Sequence, residues 1–252
     1  MIKMKGGFTL IEVSLFLAIT GLLFLGVTIG VQNSVFQQRY NDSVQNFVEF
    51  LRSAYAKTEN VQNYAEGGNT DKAIYGKLIT FGEKCNLSSS NGNCAPNTDG
   101  EIFMYSVIGN ASCGSGFNGT LEALGACEVS VLDENGEPYL AESYKPKWSA
   151  AIQSIEGGLF NGAVLITRHP QSGTIFTFVK NGAVEVNEGK GLIKDGKIEG
   201  FDARKVDFCV NPNGDTNDGG ARADVRIKDG ARNTSGIEVM PDDQNDCNKK
   251  AQ

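Results

Sequence analysis

The sequence predicts an α+β fold in which a long N-terminal helix packs against an antiparallel β-sheet domain. Three observations support this prediction. An uncharged run of nineteen residues lies near the N-terminus, an apolar stripe with helical spacing follows it, and many short β-type runs come after that, separated by turn residues. The 252 residues suit one domain with a long appendage, and a composition of 40% hydrophobic and 21% charged residues is that of a globular protein.

The first element is the apolar run from Val13 to Val31, which carries no charge. A helix of nineteen residues spans about 28 Å, close to the hydrocarbon thickness of a bilayer. Lys3 and Lys5 precede the run, which predicts a cytoplasmic N-terminus with the rest of the chain outside. Because the small residues Gly6 and Gly7 lie before the run, a cut there would leave the apolar segment on the mature protein as an anchor.

Glu12 is a carboxylate at the edge of this apolar segment. A charge at the centre of a membrane helix costs on the order of 2.5–3.5 kcal/mol, and less near the end, so such a residue usually has a partner. A chain cut after Gly7 begins at Phe8 with a new ammonium group, about one helical turn from Glu12. We therefore expect the carboxylate to pair with the ammonium group of its own or a neighbouring subunit. The alternative is a carboxylate that reaches the lipid headgroups.

The segment KGGFTLIEV (residues 5–13) resembles the prepilin peptidase recognition sequence of type IV pilins and type II secretion pseudopilins. The shared features are a basic leader, a glycine before the cut, an aromatic first mature residue, a glutamate at mature position five and an uninterrupted apolar helix. The resemblance implies cleavage between Gly7 and Phe8, methylation of the Phe8 amine, and a role for Glu12 in docking into a helical filament.

One position departs from the family pattern. Many members carry a proline where this chain has Ile29, with Gly26 and Gly30 nearby instead. Glycines also weaken a helix locally, so we expect a weak point in the same region.

The helix is expected to continue to about Gln62, because no proline or glycine occurs between Val31 and Gln62. An apolar stripe recurs there at three- and four-residue spacing: Val44, Phe47, Val48, Leu51, Ala54 and Tyr55. Gly67 and Gly68 end the pattern. The alternative is two helices with a break near Gln32-Asn33-Ser34.

The remainder of the chain is predicted to be β-structure. The candidate strands are Ala73–Phe81, Ile102–Ile108, Cys127–Leu132, Ala163–Thr167, Thr174–Val179, Val206–Val210, Ala223–Ile227 and Gly236–Met240. Turn residues at Asp133–Gly136, Gln171–Gly173 and Lys180–Gly182 separate strands, and short connections favour an antiparallel sheet. The resemblance implies a pilin-like organisation: a prepilin leader at 1–7, a transmembrane and filament-core helix at 8–31, its amphipathic continuation at 32–66, and an exported β-rich domain at 67–252.

A weaker resemblance concerns the C-terminal part. The strands at 206–210, 223–227 and 236–239, with the helical segment at 50–56, are similar to minor pseudopilin H and FimT-like proteins. This second resemblance covers about a third of the chain.

Six cysteines follow the apolar helix, an even number that suits three disulfides in an oxidising compartment. Fifteen pairings are open, and proximity favours Cys85–Cys94 and Cys113–Cys127, which leaves Cys209–Cys247. The last pair resembles the C-terminal disulfide loop of many type IV pilins. A zinc site is the alternative, although the sequence has no C-x-x-C pair.

Two loop features allow ligand binding. Asn213, Asp215, Asn217 and Asp224 have the spacing of calcium-loop positions one, three, five and twelve, but the loop lacks the usual glycine and final glutamate, and a solvated turn is the alternative. A basic group, Arg222, Arg226, Lys228 and Arg232, lies where FimT-like pilins can bind DNA. The alternative is a solvated, partly paired face, because Asp224 and Asp229 offset these cations and the whole chain has a net charge of −7.

We expect no enzymatic activity, since the sequence contains no G-x-S-x-G, H-E-x-x-H or Walker motif and has one histidine, His169, in a predicted turn. No cofactor is expected apart from the calcium alternative. The resemblance implies a structural subunit, a minor pilin or pseudopilin, in the bacterial inner membrane and then in an extracellular pilus or a periplasmic pseudopilus. Its partners would be other pilin subunits, prepilin peptidase and the inner-membrane assembly platform, and a filament-tip adhesin or DNA-binding pilin is the alternative.

Overall fold

A computed structural model describes residues 9–60, 72–81, 83–85, 94–96, 100–111, 113, 120–131, 141–182, 200–212, 214 and 222–248. Within these ranges the helices are α1 (Leu10–Glu59) and α2 (Leu121–Ala126). The strands are β1 (Lys72–Phe81), β2 (Glu83–Cys85), β3 (Cys94–Pro96), β4 (Ile102–Asn110), β5 (Glu142–Tyr144), β6 (Ala151–Gln153), β7 (Gly162–Arg168), β8 (Ile175–Asn181), β9 (Val206–Asn211), β10 (Ala223–Ile227) and β11 (Ile237–Val239).

The predicted N-terminal helix is confirmed as one uninterrupted α-helix, and the alternative of a break near Gln32 is wrong. The described residues divide into two compact units, one up to Asp42 and one from Ser43 onward. The first unit consists of the apolar part of α1. The second contains the end of α1, α2 and all of the strands.

Two antiparallel sheets form the framework of the second unit. The first has the strand order β5-β4-β1-β7-β8 and the second has the order β11-β10-β9-β6. β2 and β3 pair with each other. The predicted antiparallel architecture is therefore confirmed, because within the described ranges every pair of adjacent strands runs antiparallel.

The apolar stripe of α1 is buried against both sheets. Phe47 is fully buried, and its ring forms edge contacts with Phe81 of β1 and Phe208 of β9, at centroid distances of 6.3 and 5.5 Å. Phe81 and Phe208 also stack on each other at 4.9 Å. Such aromatic pairs add about 0.5–1.5 kcal/mol beyond the area that they bury. The sequence-predicted stripe thus forms the joint between α1 and the two sheets.

A second apolar layer covers the opposite face of the five-stranded sheet. It includes Tyr75, Leu78, Tyr105, Leu165 and Phe178 from the strands, together with Leu124 of α2. Because strand side chains alternate between faces, β1 sends Leu78 into this layer and Phe81 toward α1. The sheet is buried on both sides, which explains why its central strands contain long apolar runs.

Gly76 is required at the centre of this sheet. A register shift lies between Ile74 and Gly76 in the β1–β4 pairing, and a Cβ at residue 76 would lie 1.9 Å from the carbonyl oxygen of Ile166. No side chain fits there without separating β1 from β7.

The structure corrects one predicted strand and adds several elements. The prediction of a strand that begins at Cys127 is wrong in its first part. The helix α2 ends at Ala126, and the turn that follows it contains Cys127 and Glu128. In the described part of this segment, up to Val131, an isolated bridge between Ser130 and Ile108 is the remaining β-structure; Leu132 lies outside the described residues. The helix α2 and the three-residue strands β2, β3, β5 and β6 were not predicted from the sequence, since such short elements carry too little periodicity.

Candidate functional site

The N-terminal end of α1 is organised around Glu12. Its carboxylate accepts hydrogen bonds from the backbone N–H and the hydroxyl of Thr9, both at 2.9 Å, while the backbone N–H of Glu12 donates to the Thr9 hydroxyl at 3.3 Å. This reciprocal pattern is a capping box, in which two backbone N–H groups at the start of a helix are satisfied by side chains. This role of Thr9 was not predicted, although T-x-x-E before an apolar run is a recognisable capping signal. Gly7 and Phe8 lie outside the described residues.

The helix after Glu12 exposes an apolar surface. Leu10–Thr28 is a nineteen-residue stretch with a mean hydropathy of 2.3, and none of it is buried in the described structure. Phe24 exposes 74% of its surface and Leu22 exposes 71%. By length and composition this helix is able to cross a membrane, and its position near the N-terminus also fits a signal sequence.

The predicted basic cluster in β10 is centred on a buried ion-pair network. The guanidinium of Arg226 contacts the carboxylate of Asp207, and it lies 3.1 Å from that of Asp246 and 3.5 Å from that of Asp224. Arg226 keeps only 16% of its side chain exposed, and the side chains of Asp207 and Asp224 keep 5% and 0%. The positive charge of Arg226 is therefore paired with carboxylates of the same chain.

The other three cations differ in their surroundings. Arg222 donates to the backbone carbonyl of Cys247, and Lys228 forms an ion pair with Glu238 on β11. Arg232 is exposed in the turn that follows β10. The structure thus brings the four residues to one hairpin, but three of them have partners within the chain. DNA binding by this cluster stays a prediction.

Asp224, the last residue of the calcium spacing, lies inside the same network. Its Oδ2 accepts a hydrogen bond from the backbone N–H of Asp246 at 3.2 Å, and desolvation raises the pKa of its carboxyl. Asn213, Asp215 and Asn217 lie outside the described residues. Among the residues that are described, no three His, Cys, Asp or Glu side chains converge in a group that could hold a metal ion.

Two disulfides close parts of the second unit. Cys113 is bonded to Cys127 beside α2, and Cys209 of β9 is bonded to Cys247 near the C-terminus. Cys113–Cys127 is a pairing that proximity along the chain favours, and Cys209–Cys247 is the pair that the predicted set leaves over; both are confirmed. Cys85 and Cys94 lie opposite each other in the β2–β3 pairing, and their side chains lie outside the described part of the structure.

The C-terminal segment is held to β10 by more than its disulfide. The side-chain amides of Asn245 and Asn248 both donate to the carbonyl of Arg222, and the backbone N–H of Arg222 donates to Asn248. Asn245 is buried, so these bonds are shielded from water. The described segment from Asn245 to Asn248 is therefore held at the start of β10.

His169 has a local structural role. Its Nδ1 accepts hydrogen bonds from the backbone N–H groups of Gln171 and Ser172 at 3.2 and 3.1 Å. These bonds shape the turn between β7 and β8, where the sequence predicts a turn and where Gly173 adopts a φ of +72°.

Comparison with known proteins gave no match: no family model, no curated protein and no solved structure is similar to this chain.

Proposed function

We propose that this chain is a prepilin-type structural subunit, a minor pilin or pseudopilin, of a type IV pilus or a type II secretion filament. The observation that carries the proposal is the KGGFTLIEV segment at residues 5–13, whose last four residues begin the apolar helix Leu10–Thr28. Prepilin peptidase removes residues 1–7 and the Phe8 amine is methylated. The apolar helix then leaves the inner membrane for the core of the filament.

The exposed apolar helix supports this assembly route. A stretch of nineteen residues with mean hydropathy 2.3 and no burial is stable only in lipid or against other apolar helices. A filament core built from such helices replaces one apolar environment with another. The chain stands in the inner membrane before assembly, with its N-terminus in the cytoplasm, and then in a pilus or a periplasmic pseudopilus.

Two glycines offer a site of close helix contact. Gly26 and Gly30 are four residues apart, and a Cβ at either position would meet no atom within 4 Å. This spacing places both on one face of a helix, where the missing side chains let a second helix approach closely. The pair supports packing between apolar helices.

The disulfides support export of the second unit. Cys113–Cys127 and Cys209–Cys247 persist in oxidising compartments such as the periplasm and the cell surface. Both lie after the apolar helix, on the side that the positive-inside rule predicts to be exported. The length of 252 residues exceeds that of many major pilins and favours a minor subunit.

Glu12 has two roles that an experiment can separate. As part of the capping box it needs only a hydrogen-bond acceptor, which glutamine also provides. As the partner of a neighbouring Phe8 ammonium it needs a negative charge. If the proposed function is right, the Glu12→Gln protein keeps the capping box at the start of α1 but does not assemble into filaments. The Glu12→Asp protein keeps the negative charge and assembles in part.

The test uses the full chain expressed in a bacterium that has prepilin peptidase and a filament machine. We expect intact-mass spectrometry to show a protein that begins at Phe8 and carries one additional methyl group. We expect the Glu12→Gln protein to be processed but missing from the sheared filament fraction. An intact leader on the exported protein, or full incorporation of Glu12→Gln, would contradict the proposal.

A further inference from the structure

The last described residues of the chain lie on one face of the four-stranded sheet. Phe208 of β9 faces α1, so its neighbours Asp207 and Cys209 face the opposite side of this sheet. Residues 242–248, which we call the C-terminal strap, reach that opposite side, because Cys247 is bonded to Cys209 there. Both cysteines are fully buried. The closed strap therefore shields the sulfur of Cys209 from solvent.

The strap is held by polar contacts. Of its described side chains, only those of Asn245 and Cys247 are buried. Two of its asparagine side chains donate to the backbone carbonyl of Arg222, and Asp246 pairs with Arg226 at 3.1 Å. The hydrophobic effect, which holds α1 against the sheets, therefore contributes little to the closure of the strap.

The carboxylate of Asp224 opposes closure. Asp224 pairs with Cys209 across β10 and β9, so its side chain lies on the same face as the disulfide. This side chain is 0% exposed. Its Oδ2 accepts a hydrogen bond from the backbone N–H of Asp246 at 3.2 Å, and its Oδ1 has no hydrogen-bond partner among the described residues.

The nearest cation compensates this burial only in part. The guanidinium of Arg226 lies 3.5 Å from Oδ2 of Asp224 and is closer to two other carboxylates. A carboxylate that exchanges its water for so few hydrogen bonds raises the free energy of the closed state. When the strap opens, water can hydrate the unpartnered oxygen.

We propose that the C-terminal strap opens and closes as a separate unit on a folded sheet, and that the bond between Cys209 and Cys247 keeps it closed. Local opening is typical of segments that few apolar contacts join to the rest of a protein. In a chain whose cysteines are still reduced, the strap opens and exposes Asp224. The inference goes beyond the proposed filament function and does not depend on it, because it concerns contacts within the second unit alone.

Formation of the disulfide makes the closure permanent. The thiols of Cys209 and Cys247 exchange with an external disulfide, and a sulfur–sulfur bond forms between them. The external disulfide takes up their two electrons and two protons and leaves as two thiols. Because the closed strap buries the sulfur of Cys209, this exchange takes place while the strap is open and the sheet beneath it is already folded.

The first test uses the full-length Cys247→Ser chain in detergent, in which the thiol of Cys209 reports opening. In the closed state this thiol is buried, so it reacts with iodoacetamide only when the strap opens. We expect a rate at least tenfold above the rate that global unfolding allows. It should hardly change with urea below the unfolding transition, because opening a short strap exposes little surface. A rate that follows the global unfolding curve would overturn the proposal.

The second test measures the effect of Asp224 in the same Cys247→Ser chain. Asp224→Asn replaces the buried carboxylate with a neutral amide, which costs less to bury, so the alkylation of Cys209 should slow at least threefold. Asp243→Asn is the matched control, since it removes a negative charge from an exposed position in the strap and should leave the rate unchanged. An unchanged or faster rate in Asp224→Asn would overturn the inference that Asp224 opposes closure.

The third test asks whether the disulfide keeps the strap closed. The backbone N–H of Asp246 is hydrogen-bonded in the closed state, so its hydrogen exchange reports opening. We expect this exchange to be at least tenfold faster in the Cys209→Ser, Cys247→Ser chain than in the oxidised chain. In the variant it should also be at least tenfold faster than that of the slowest amides of β9. Exchange of Asp246 at the rate of β9 in the variant would show one cooperative unit and overturn the proposal.

Discussion

The hydroxyl of Tyr55 lies 2.8 Å from Oγ1 of Thr177, and the Thr177 hydroxyl donates in turn to the carbonyl of Ala231 at 2.7 Å. Because the single hydroxyl hydrogen of Thr177 is used toward Ala231, Tyr55 must be the donor to Thr177. This buried chain of bonds connects α1, β8 and the turn after β10. These two hydrogen bonds therefore lie within the apolar contact between α1 and the sheets.

We expect Tyr55→Phe to destabilise the second unit by about 1–2 kcal/mol, because it removes a buried hydrogen bond. Tyr144→Phe is the matched control, since the Tyr144 hydroxyl is buried without a hydrogen-bond partner among the described residues. Removal of that hydroxyl should leave the stability unchanged or raise it. Urea unfolding of the full chain in detergent, monitored by near-ultraviolet circular dichroism, measures the free energy of unfolding of both variants. Equal losses of stability in Tyr55→Phe and Tyr144→Phe would contradict a stabilising role of the Tyr55 hydrogen bond.

The same tyrosine predicts a loss of stability at alkaline pH. Burial raises the pKa of Tyr55 to about 12, against 10.0 for the free side chain. Between these values the unfolded chain loses a proton that the folded chain keeps, so the free energy of unfolding falls as the pH rises. The contribution of Tyr55 amounts to roughly 2–3 kcal/mol at pH 12. We expect Tyr55→Phe to reduce the slope of stability between pH 10 and 12, and an identical slope would contradict the assignment.

The apolar joint is the part of the fold that the sequence predicts best. Phe47, Leu51 and Tyr55 have the spacing of one helix face, and that face is the buried one. The polar bond from Tyr55 to Thr177 could not be predicted, because the two residues are 122 positions apart. Tertiary partners of this kind depend on the strand order, which short β-type runs do not reveal.

Arg226 is predicted to be a structural residue. Arg226→Gln leaves the carboxylate of Asp224 buried without its cation, while Asp207 keeps only Lys205, whose Nζ lies 3.3 Å from it. We expect a loss of about 3–5 kcal/mol at pH 7. Arg232→Gln, at an exposed position on the same hairpin, should change the stability by less than about 0.5 kcal/mol.

The loss in Arg226→Gln should shrink as the pH falls. Burial raises the pKa of Asp224 and Arg226 lowers it, so without the guanidinium the folded-state pKa of this carboxyl group rises further. Protonation then favours the folded chain, and acidification removes part of the penalty. Thermal unfolding from pH 7 to pH 4 measures this difference. A loss that is constant across this range would show that the network does not depend on charge.

The disulfide between Cys209 and Cys247 is expected to stabilise the second unit by about 4 kcal/mol, because it closes a loop across a sequence separation of 38 residues. The double variant Cys209→Ser with Cys247→Ser should lower the urea midpoint accordingly. Dithiothreitol should have little further effect on the loop in this variant. An unchanged midpoint would mean that the hydrogen bonds of Asn245 and Asn248 hold the chain end by themselves.

Close packing at Gly26 and Gly30 predicts that larger residues block assembly. A Cβ at either position meets no atom of the same chain, so Gly26→Ile with Gly30→Ile should leave the helix intact. We expect the double variant to be processed but to enter filaments at least tenfold less. Gly21→Ile is the control, because Gly21 lies on the opposite side of the helix from Gly30. Equal incorporation of all three proteins would exclude a contact at these glycines.

The candidate sites were predictable to different degrees. Glu12 stands out in the sequence because a carboxylate is unusual beside an apolar run. The partners of Arg226 do not stand out in the sequence, because Asp207 lies 19 residues before it and Asp246 lies 20 residues after it. The left-handed conformation of Trp148 could not be predicted either, because it is a property of the folded backbone and not of its residue type.

The bond between Cys209 and Cys247 also matters for a chain under tension. Without the disulfide, the segment of 38 residues between the two cysteines could extend to about 130 Å under tension. The disulfide prevents this extension, so a subunit under tension cannot lengthen through the loop between Cys209 and Cys247 until the disulfide is reduced. A force-extension curve of the oxidised protein should therefore lack this increment and regain it in a reducing buffer.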